Sequence, residues 1–142
     1  SFYWTKPRLR GGYYLHLDPE ETFIATGFWE PHKDDLHRIR KEFEMDDAPV
    51  RRIINDPGFK AVWGELKGDA VKTAPKGFSK EHPAIDLINK KQHIFIKNFT
   101  VKEATSPGFL NTVNDAFKAI RPYFDYMSEV LTTDLNGVSL ID

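Results

Sequence analysis

The architecture of this chain is set by Gly12-Tyr-Tyr-Leu-His-Leu-Asp-Pro-Glu-Glu-Thr-Phe-Ile-Ala-Thr-Gly-Phe-Trp29. From Tyr13 to Leu17, every second residue falls on one side of an extended chain, and that side is apolar, as in a half-buried strand. The next residues, Asp18-Pro-Glu-Glu21, supply turn chemistry, because proline presets the first dihedral of a turn. Thr22 to Trp29 is rich in the β-branched and aromatic residues that favour strands. We predict an antiparallel β-hairpin near the N-terminus.

Three helices are predicted after the hairpin, because apolar residues recur there at helical spacing. The three apolar stripes are Leu36, Ile39 and Phe43, then Val50, Ile53 and Ile54, then Phe59, Val62, Trp63 and Leu66. Pro49 and Pro57 separate them, and proline is tolerated in a first helical turn because its missing amide donor would be unpaired there anyway. The sequence then predicts a brief strand at Val71 to Ala74 and a helix from Pro83 to Lys91, which Ser79 caps.

The last third of the chain contains one more strand and a long helix. Residues Gln92 to Phe99 alternate strongly, and Thr100-Val-Lys-Glu103 fits the capping-box pattern at the start of a helix. Ser106-Pro107 starts the last long helix, which Pro122 is expected to kink or interrupt. Because strands come early and helices cluster together, the predicted class is α+β: an antiparallel sheet packed by helices, with a long C-terminal helix.

Length and composition limit the possible organisation of the protein. With 142 residues the chain suits one domain with a hydrophobic core, so we predict a single domain over residues 1–142, with 1–10 and 135–142 peripheral. Hydrophobic residues make up 40% and charged residues 29%, which is typical of a soluble globular protein. No apolar run approaches the roughly 18 residues that span a bilayer. The absence of cysteine excludes disulfides and thiol nucleophiles and fits a cytoplasmic location.

Charge is unevenly distributed along the chain. Residues 60–102 contain nine lysines and four acidic residues, whereas both ends are acidic. Such asymmetry can mark an anion-binding face. The candidate ligands are Lys72, Lys76, His82 and Lys91, in a loop whose amides, with the start of the following helix, would point at a phosphate or carboxylate. The leading hypothesis is a binding module for a small anionic ligand, in a protein of unknown function.

The same lysine-rich segment has a purely structural interpretation. Pro75 and Gly77 make a tight turn, His82 caps a helix, and Lys91 ends that helix where its dipole favours a cation. A nucleotide site is not indicated, because Walker and dinucleotide fingerprints need more glycines. The sequence leaves both interpretations open.

An enzyme of the hydrolase or transferase type is the first alternative, with His16, Glu30 and Arg40 in a cleft between the hairpin and the helices. Arg40 lies on the apolar stripe of the first predicted helix, so an ion pair with Glu30 or another acid is expected. His32 and His37 are five residues apart and would not share a helical face. We therefore predict no metal and no other cofactor.

Other functions find less support in the sequence. A net charge of −1 and acidic ends oppose nucleic-acid binding. No Gly-x-Ser-x-Gly nucleophile elbow is present. A subunit acting through protein contacts is the second alternative, and it would need an exposed apolar patch. The oligomeric state is not specified by the sequence.

Four segments together resemble a known family: Gly12-Tyr-Tyr-Leu-His-Leu17, Gly27-Phe-Trp-Glu-Pro31, Leu36-His-Arg-Ile-Arg40, and Lys72-Thr-Ala-Pro-Lys-Gly-Phe78 with His82-Pro83 after it. In order and spacing they resemble the bacterial domain-of-unknown-function family DUF2461 over residues 11–131. The resemblance implies an uncharacterised α+β domain with no known cofactor, substrate or catalytic residue. It also implies an additional N-terminal region, usual in that family, which is missing from this chain.

Overall fold

The predicted hairpin lies in a four-stranded antiparallel sheet in the computed structural model, which describes residues 2–4 and 11–140. The strands follow the order β1 (Phe2–Trp4), β2 (Gly12–His16), β3 (Thr22–Phe28) and β4 (His93–Phe99). The hairpin is β2 with β3, and β4 is the strand expected near residues 92–99. The sequence pattern did not indicate β1, which pairs with β2 at the edge of the sheet.

Seven helices complete the described part of the chain. They are α1 (Lys33–Met45), α2 (Ala48–Ile54), α3 (Pro57–Trp63), α4 (Ile85–Ile88), α5 (Val101–Ala104), α6 (Phe109–Ala119) and α7 (Arg121–Thr132). Within residues 2–4 and 11–140, no helix has the length and apolar character needed to cross a membrane.

Local sequence signals explain where several helices begin. Asp56 Oδ2 accepts a hydrogen bond from the Phe59 amide at 3.0 Å and caps α3. The predicted capping box is confirmed, because Thr100 Oγ1 accepts from the Glu103 amide while Glu103 Oε1 accepts from the Thr100 amide. Pro122 stands in the first turn of α7, so the predicted long C-terminal helix is interrupted as expected.

One face of the sheet carries the hydrophobic core. Thr26 lies opposite both Tyr13 and Phe95 in the antiparallel register, so these three side chains share a face. On that face, Tyr13 stacks on Phe124 with ring centroids 5.1 Å apart. Phe95 meets Tyr123 edge-to-face, also at 5.1 Å. Helix α7 therefore packs directly on the sheet, and the predicted α+β class is confirmed.

The strand predicted at residues 71–74 does not form. Ala70 makes an isolated antiparallel bridge with Lys90, and the Lys91 amide donates to the Asp69 carbonyl. This pairing ends at Val71, whose amide donates to the Asn89 carbonyl, and the residues after it bend away instead of extending. That strand prediction is wrong.

The helix predicted from Pro83 to Lys91 is much shorter, since only Ile85–Ile88 is helical. His82 Nδ1 accepts a hydrogen bond from the Ala84 amide at 3.0 Å, which holds the chain in a turn at that point. Ser79 accepts from the amide two residues farther on and not from the helix, so its predicted capping role is also wrong.

Candidate functional site

A cavity of about 340 Å³ lies between α1, α7 and the segment that follows α7, and we refer to it as the α1–α7 cavity. The side chains that line it include Arg38, Glu42 and Met45 of α1, Tyr126, Glu129 and Val130 of α7, and Asp134 and Leu135 beyond α7. Residues three or four positions apart share a helix face, which is why each helix contributes a continuous strip.

The core orients both helices around this cavity. Ile39 and Phe43 of α1 are buried, and so are Met127 and Leu131 of α7. Burial of these stripes leaves the neighbouring strip of each helix directed at the space between them. The cavity is therefore a consequence of how two amphipathic helices meet above the core.

Arg38 holds the end of α7 against α1, and we refer to its contacts with Thr133, Asp134 and Glu42 as the Arg38 clamp. Its Nε donates to the Thr133 carbonyl and its Nη2 to the Asp134 carbonyl, each at 3.0 Å. The remaining nitrogen, Nη1, forms an ion pair with Glu42 Oε1 at 2.9 Å, one turn along α1. All three nitrogens of the guanidinium group therefore contact groups of the protein itself.

Replacing Arg38 by methionine is expected to lower the free energy of unfolding by about 2 kcal/mol, because charge-assisted hydrogen bonds are lost and Glu42 loses its ion partner. Amide hydrogen exchange across residues 133–140 should accelerate as the clamp opens. Arg52→Met, at an exposed position of α2, is the matched control and should change neither quantity. Equal exchange rates in the two variants would show that Arg38 does not clamp this segment.

Tyr126 carries an unsatisfied polar group in the cavity wall; the buried Arg38 Nη1 also makes no hydrogen bond, although it is paired by charge with Glu42. The Tyr126 hydroxyl oxygen is shielded from solvent and has no hydrogen-bond partner among the described residues. Burial, and next the carboxylates of Glu42 and Asp46, raise the pKa of the Tyr126 phenol, so the group stays protonated. Most buried hydroxyls are hydrogen-bonded. Tyr126 is an exception, and it keeps an unused donor and acceptor beside the cavity.

The electrostatic surroundings of the cavity are acidic. Glu129 and Asp134 line it, and Asp46 follows α1 directly. In the described part of the chain, no lysine or arginine forms an ion pair with any of these three carboxylates. Asp134 Oδ1 accepts from the amides of Asn136 and Val138, each at 2.9 Å, which satisfies its hydrogen bonding but not its charge.

The predicted anion-binding residues lie elsewhere, in the loop before β4. The lysines of that prediction, Lys72, Lys76 and Lys91, are exposed. His82 is half-buried, with Nδ1 accepting from the Ala84 amide and Nε2 lying 3.1 Å from the Glu44 carbonyl. Since Nδ1 accepts, Nε2 carries the proton and donates, so both ring nitrogens are used within the protein. Anion binding by these residues stays a prediction.

The hairpin register separates His16 from Glu30. His16 lies opposite Phe23, whereas Glu30 stands two residues beyond Phe28, at the other end of β3. The five steps along the chain from Phe23 to Phe28 span roughly 17 Å of extended strand. His16 instead stacks on Phe23, with ring centroids 4.9 Å apart. These two enzyme candidates are not brought together.

Arg40 is bonded to the main chain. Its Nε donates to the Ile88 carbonyl at 2.8 Å and its Nη2 to the Lys90 carbonyl at 3.3 Å. No acid within the described residues forms an ion pair with it. The expected pair with Glu30 is therefore wrong, and the guanidinium group satisfies carbonyls at the end of α4 instead.

The histidines considered as metal ligands have local roles. His32 Nδ1 lies 3.3 Å from the Asp34 amide and accepts its hydrogen bond at the start of α1. The rings of His37 and Phe78 meet edge-on, with centroids 5.9 Å apart. Over residues 2–4 and 11–140, no group of three or more histidines and carboxylates could hold a metal ion.

Sequence reasoning did not single out Arg38 or Tyr126. One signal was present, since Arg38 and Glu42 have the i,i+4 spacing of a helical ion pair. The decisive information, that α1 lies beside α7, depends on contacts between residues 95 positions apart, such as Arg38 and Thr133. No local pattern contains that pairing.

The sheet, the helices on its core face and the cavity between two of those helices define an α+β protein. The chain belongs to the family DUF2461, described as conserved hypothetical protein, whose model matches residues 1–126. This confirms the resemblance drawn from the sequence motifs and extends it over the first ten residues; the description names no activity. No curated protein and no solved structure matches the chain. Six of the eleven residues that line the cavity, from Glu129 onward, lie beyond the matched residues.

Proposed function

We propose that this protein binds a small organic molecule in the α1–α7 cavity. The observation that carries the proposal is the unpaired Tyr126 hydroxyl in the cavity wall. A buried hydroxyl without a partner costs roughly 1–3 kcal/mol. Because the hydroxyl is shielded from solvent in the unbound protein, a ligand recovers that free energy when the cavity wall opens enough for its hydrogen-bonding atom to reach Tyr126 Oη.

The size and lining of the cavity support the same proposal. Its volume of about 340 Å³ falls in the range of roughly 300–1,000 Å³ that is common for small-molecule sites. Met45 and Leu135 are 55% and 44% exposed although both are large and apolar. Covering such side chains gains about 25 cal/mol per Å² of apolar area. A ligand with an apolar body would therefore contact both α1 and the segment that follows α7.

A fragment titration followed by amide chemical shifts tests this function. We expect small aromatic or aliphatic fragments to shift amides of α1 and α7, and a fragment at 100 times its dissociation constant to add about 2.7 kcal/mol of stability. Tyr126→Phe keeps the ring but removes the hydroxyl, so affinity should fall about fivefold. Tyr14→Phe, on the hairpin, is the matched control. A library that shifts no amide of α1 or α7 would refute the function.

The same titration separates cavity binding from small-anion binding at Lys72, Lys76, His82 and Lys91. A double variant, Lys72→Ala with Lys76→Ala, removes two charges from the loop and leaves the α1–α7 cavity intact. Binding that is lost in this variant but kept in Tyr126→Phe would place the site in the loop before β4.

The other functional alternatives have weaker support. An enzyme built on His16, Glu30 and Arg40 is opposed by the hairpin register and by the main-chain bonds of Arg40.

The proposed setting is the cytoplasm, where thiols stay reduced and a chain without cysteine is at no disadvantage.

A further inference from the structure

We infer that the molecule bound in the α1–α7 cavity is an organic cation, with an ammonium or amidinium group on a short apolar body. This inference rests on the proposed function and adds the ligand class. Glu129 and Asp134 line the cavity, and Asp46 lies close enough to act electrostatically on the Tyr126 hydroxyl. These carboxylates have no cationic partner among the described residues, so the field in the cavity favours positive charge.

The arginine of the lining does not reverse this preference. Arg38 is neutralised by Glu42 at 2.9 Å, and its other two nitrogens donate to the carbonyls of Thr133 and Asp134. An anion entering the cavity would have to break this clamp or face the unpaired carboxylates directly. A cation meets neither obstacle.

The apolar and aromatic lining favours an organic cation over a bare metal ion. The described residues contain no group of three metal ligands. Met45 and Leu135 supply exposed apolar surface for a hydrocarbon body. The Tyr126 ring attracts cations, and its neutral hydroxyl oxygen can accept from an ammonium N–H once the cavity wall opens to expose it. The ligand therefore has a charged head and an apolar remainder, each with its own contacts.

Three probes of similar shape test the inference: 2-phenylethylammonium, 2-phenylethanol and 3-phenylpropionate. At low salt we expect the ammonium probe to bind about tenfold more tightly than the alcohol, with the carboxylate weakest. The advantage should shrink at about 0.5 M salt, where screening is strong. Glu129→Gln should lower the affinity for the ammonium probe about threefold and leave the affinity for the alcohol unchanged. Glu20→Gln, which removes an exposed carboxylate from the hairpin turn, should change neither.

The possible outcomes separate the ligand class from the function. If ammonium and alcohol shift the amides of α1 and α7 with equal affinity, the ligand is not a cation, although the cavity still binds small molecules. If the carboxylate binds most tightly, the inference is overturned in favour of an anion. If the ammonium probe binds but Glu129→Gln has no effect, its charge is recognised elsewhere and the inference fails. If neither the probes nor any fragment binds at α1 and α7, the proposed function fails as well.

Discussion

Lowering the pH from 8 to 4 is expected to remove roughly 3 kcal/mol of unfolding free energy through His93 alone. The side chain of His93 is fully buried at the start of β4, and neither ring nitrogen has a partner among the described residues. Its ring meets that of Phe43 edge-on, with ring centroids 5.8 Å apart. Burial, and then the charges of Arg40 and Lys90, lower the pKa of His93 to about 3.

The direction of the effect follows from where the proton binds first. The ordinary pKa of a histidine, 6.5, applies to the unfolded chain, so the unfolded state takes up a proton well before the folded state does. Stability is therefore complete above about pH 6.5 and falls by about 1.4 kcal/mol per pH unit as the pH drops toward 3. Urea unfolding at several pH values measures this slope.

A pair of variants assigns the slope to His93. His93→Leu replaces the ring with an apolar side chain that binds no proton, so its stability should fall less steeply between pH 6.5 and 4. His16→Gln, which removes a half-buried histidine from the hairpin, is the matched control. Parallel slopes for His93→Leu and the wild-type protein would show that His93 is not the group responsible.

Gly27→Ala is expected to cost about 3–4 kcal/mol. Gly27 has φ 130°, a conformation that a residue with a side chain rarely adopts. A Cβ there would lie 2.1 Å from the His93 carbonyl oxygen and 2.8 Å from the Ile94 Cα. Both are backbone atoms of the neighbouring strand, so they cannot rotate away as a flexible side chain would. Chemical denaturation of the variant measures the loss.

Alanine substitutions at two other glycines separate the two causes of the Gly27→Ala cost, which are the strained φ angle and the close approach of the neighbouring strand. Gly77 has φ 90° but open space around it, so Gly77→Ala should cost only about 1 kcal/mol. Gly108 has φ −90° and open space, so Gly108→Ala should be neutral or stabilising by up to about 1 kcal/mol. If Gly27→Ala and Gly77→Ala cost the same, contact with β4 does not constrain Gly27.

Much of the fold was predictable because its signals are local. Alternation near Tyr13, the capping box at Thr100 and the proline at position 122 each act within a few residues, and each appears as expected. Prediction failed between residues 68 and 91, where pairing is set by distant groups. Arg40 supplies donors to the carbonyls at the end of α4 from 48 and 50 residues away, which no local pattern encodes.

The candidate site was less predictable than the fold. Its residues are ordinary surface positions on two amphipathic helices, and their meaning depends on which helices become neighbours. The lysine-rich loop attracted attention because its composition is unusual, whereas Arg38 and Glu129 stand in unremarkable sequence. Composition reveals clusters of residues that are neighbours in sequence, whereas the cavity between α1 and α7 is formed by residues that are far apart in sequence.

The Arg38 clamp also bears on the order in which the protein is made. It joins α1 to a carbonyl 95 residues later. A ribosome releases the chain from the N-terminus, so α1 is available long before Thr133 and Asp134 leave the exit tunnel. The α1–α7 cavity is therefore among the last parts to be completed, and a nascent chain that has built the sheet is still without it. Ligand binding would then report a finished molecule and would favour the completed chain over any folding intermediate.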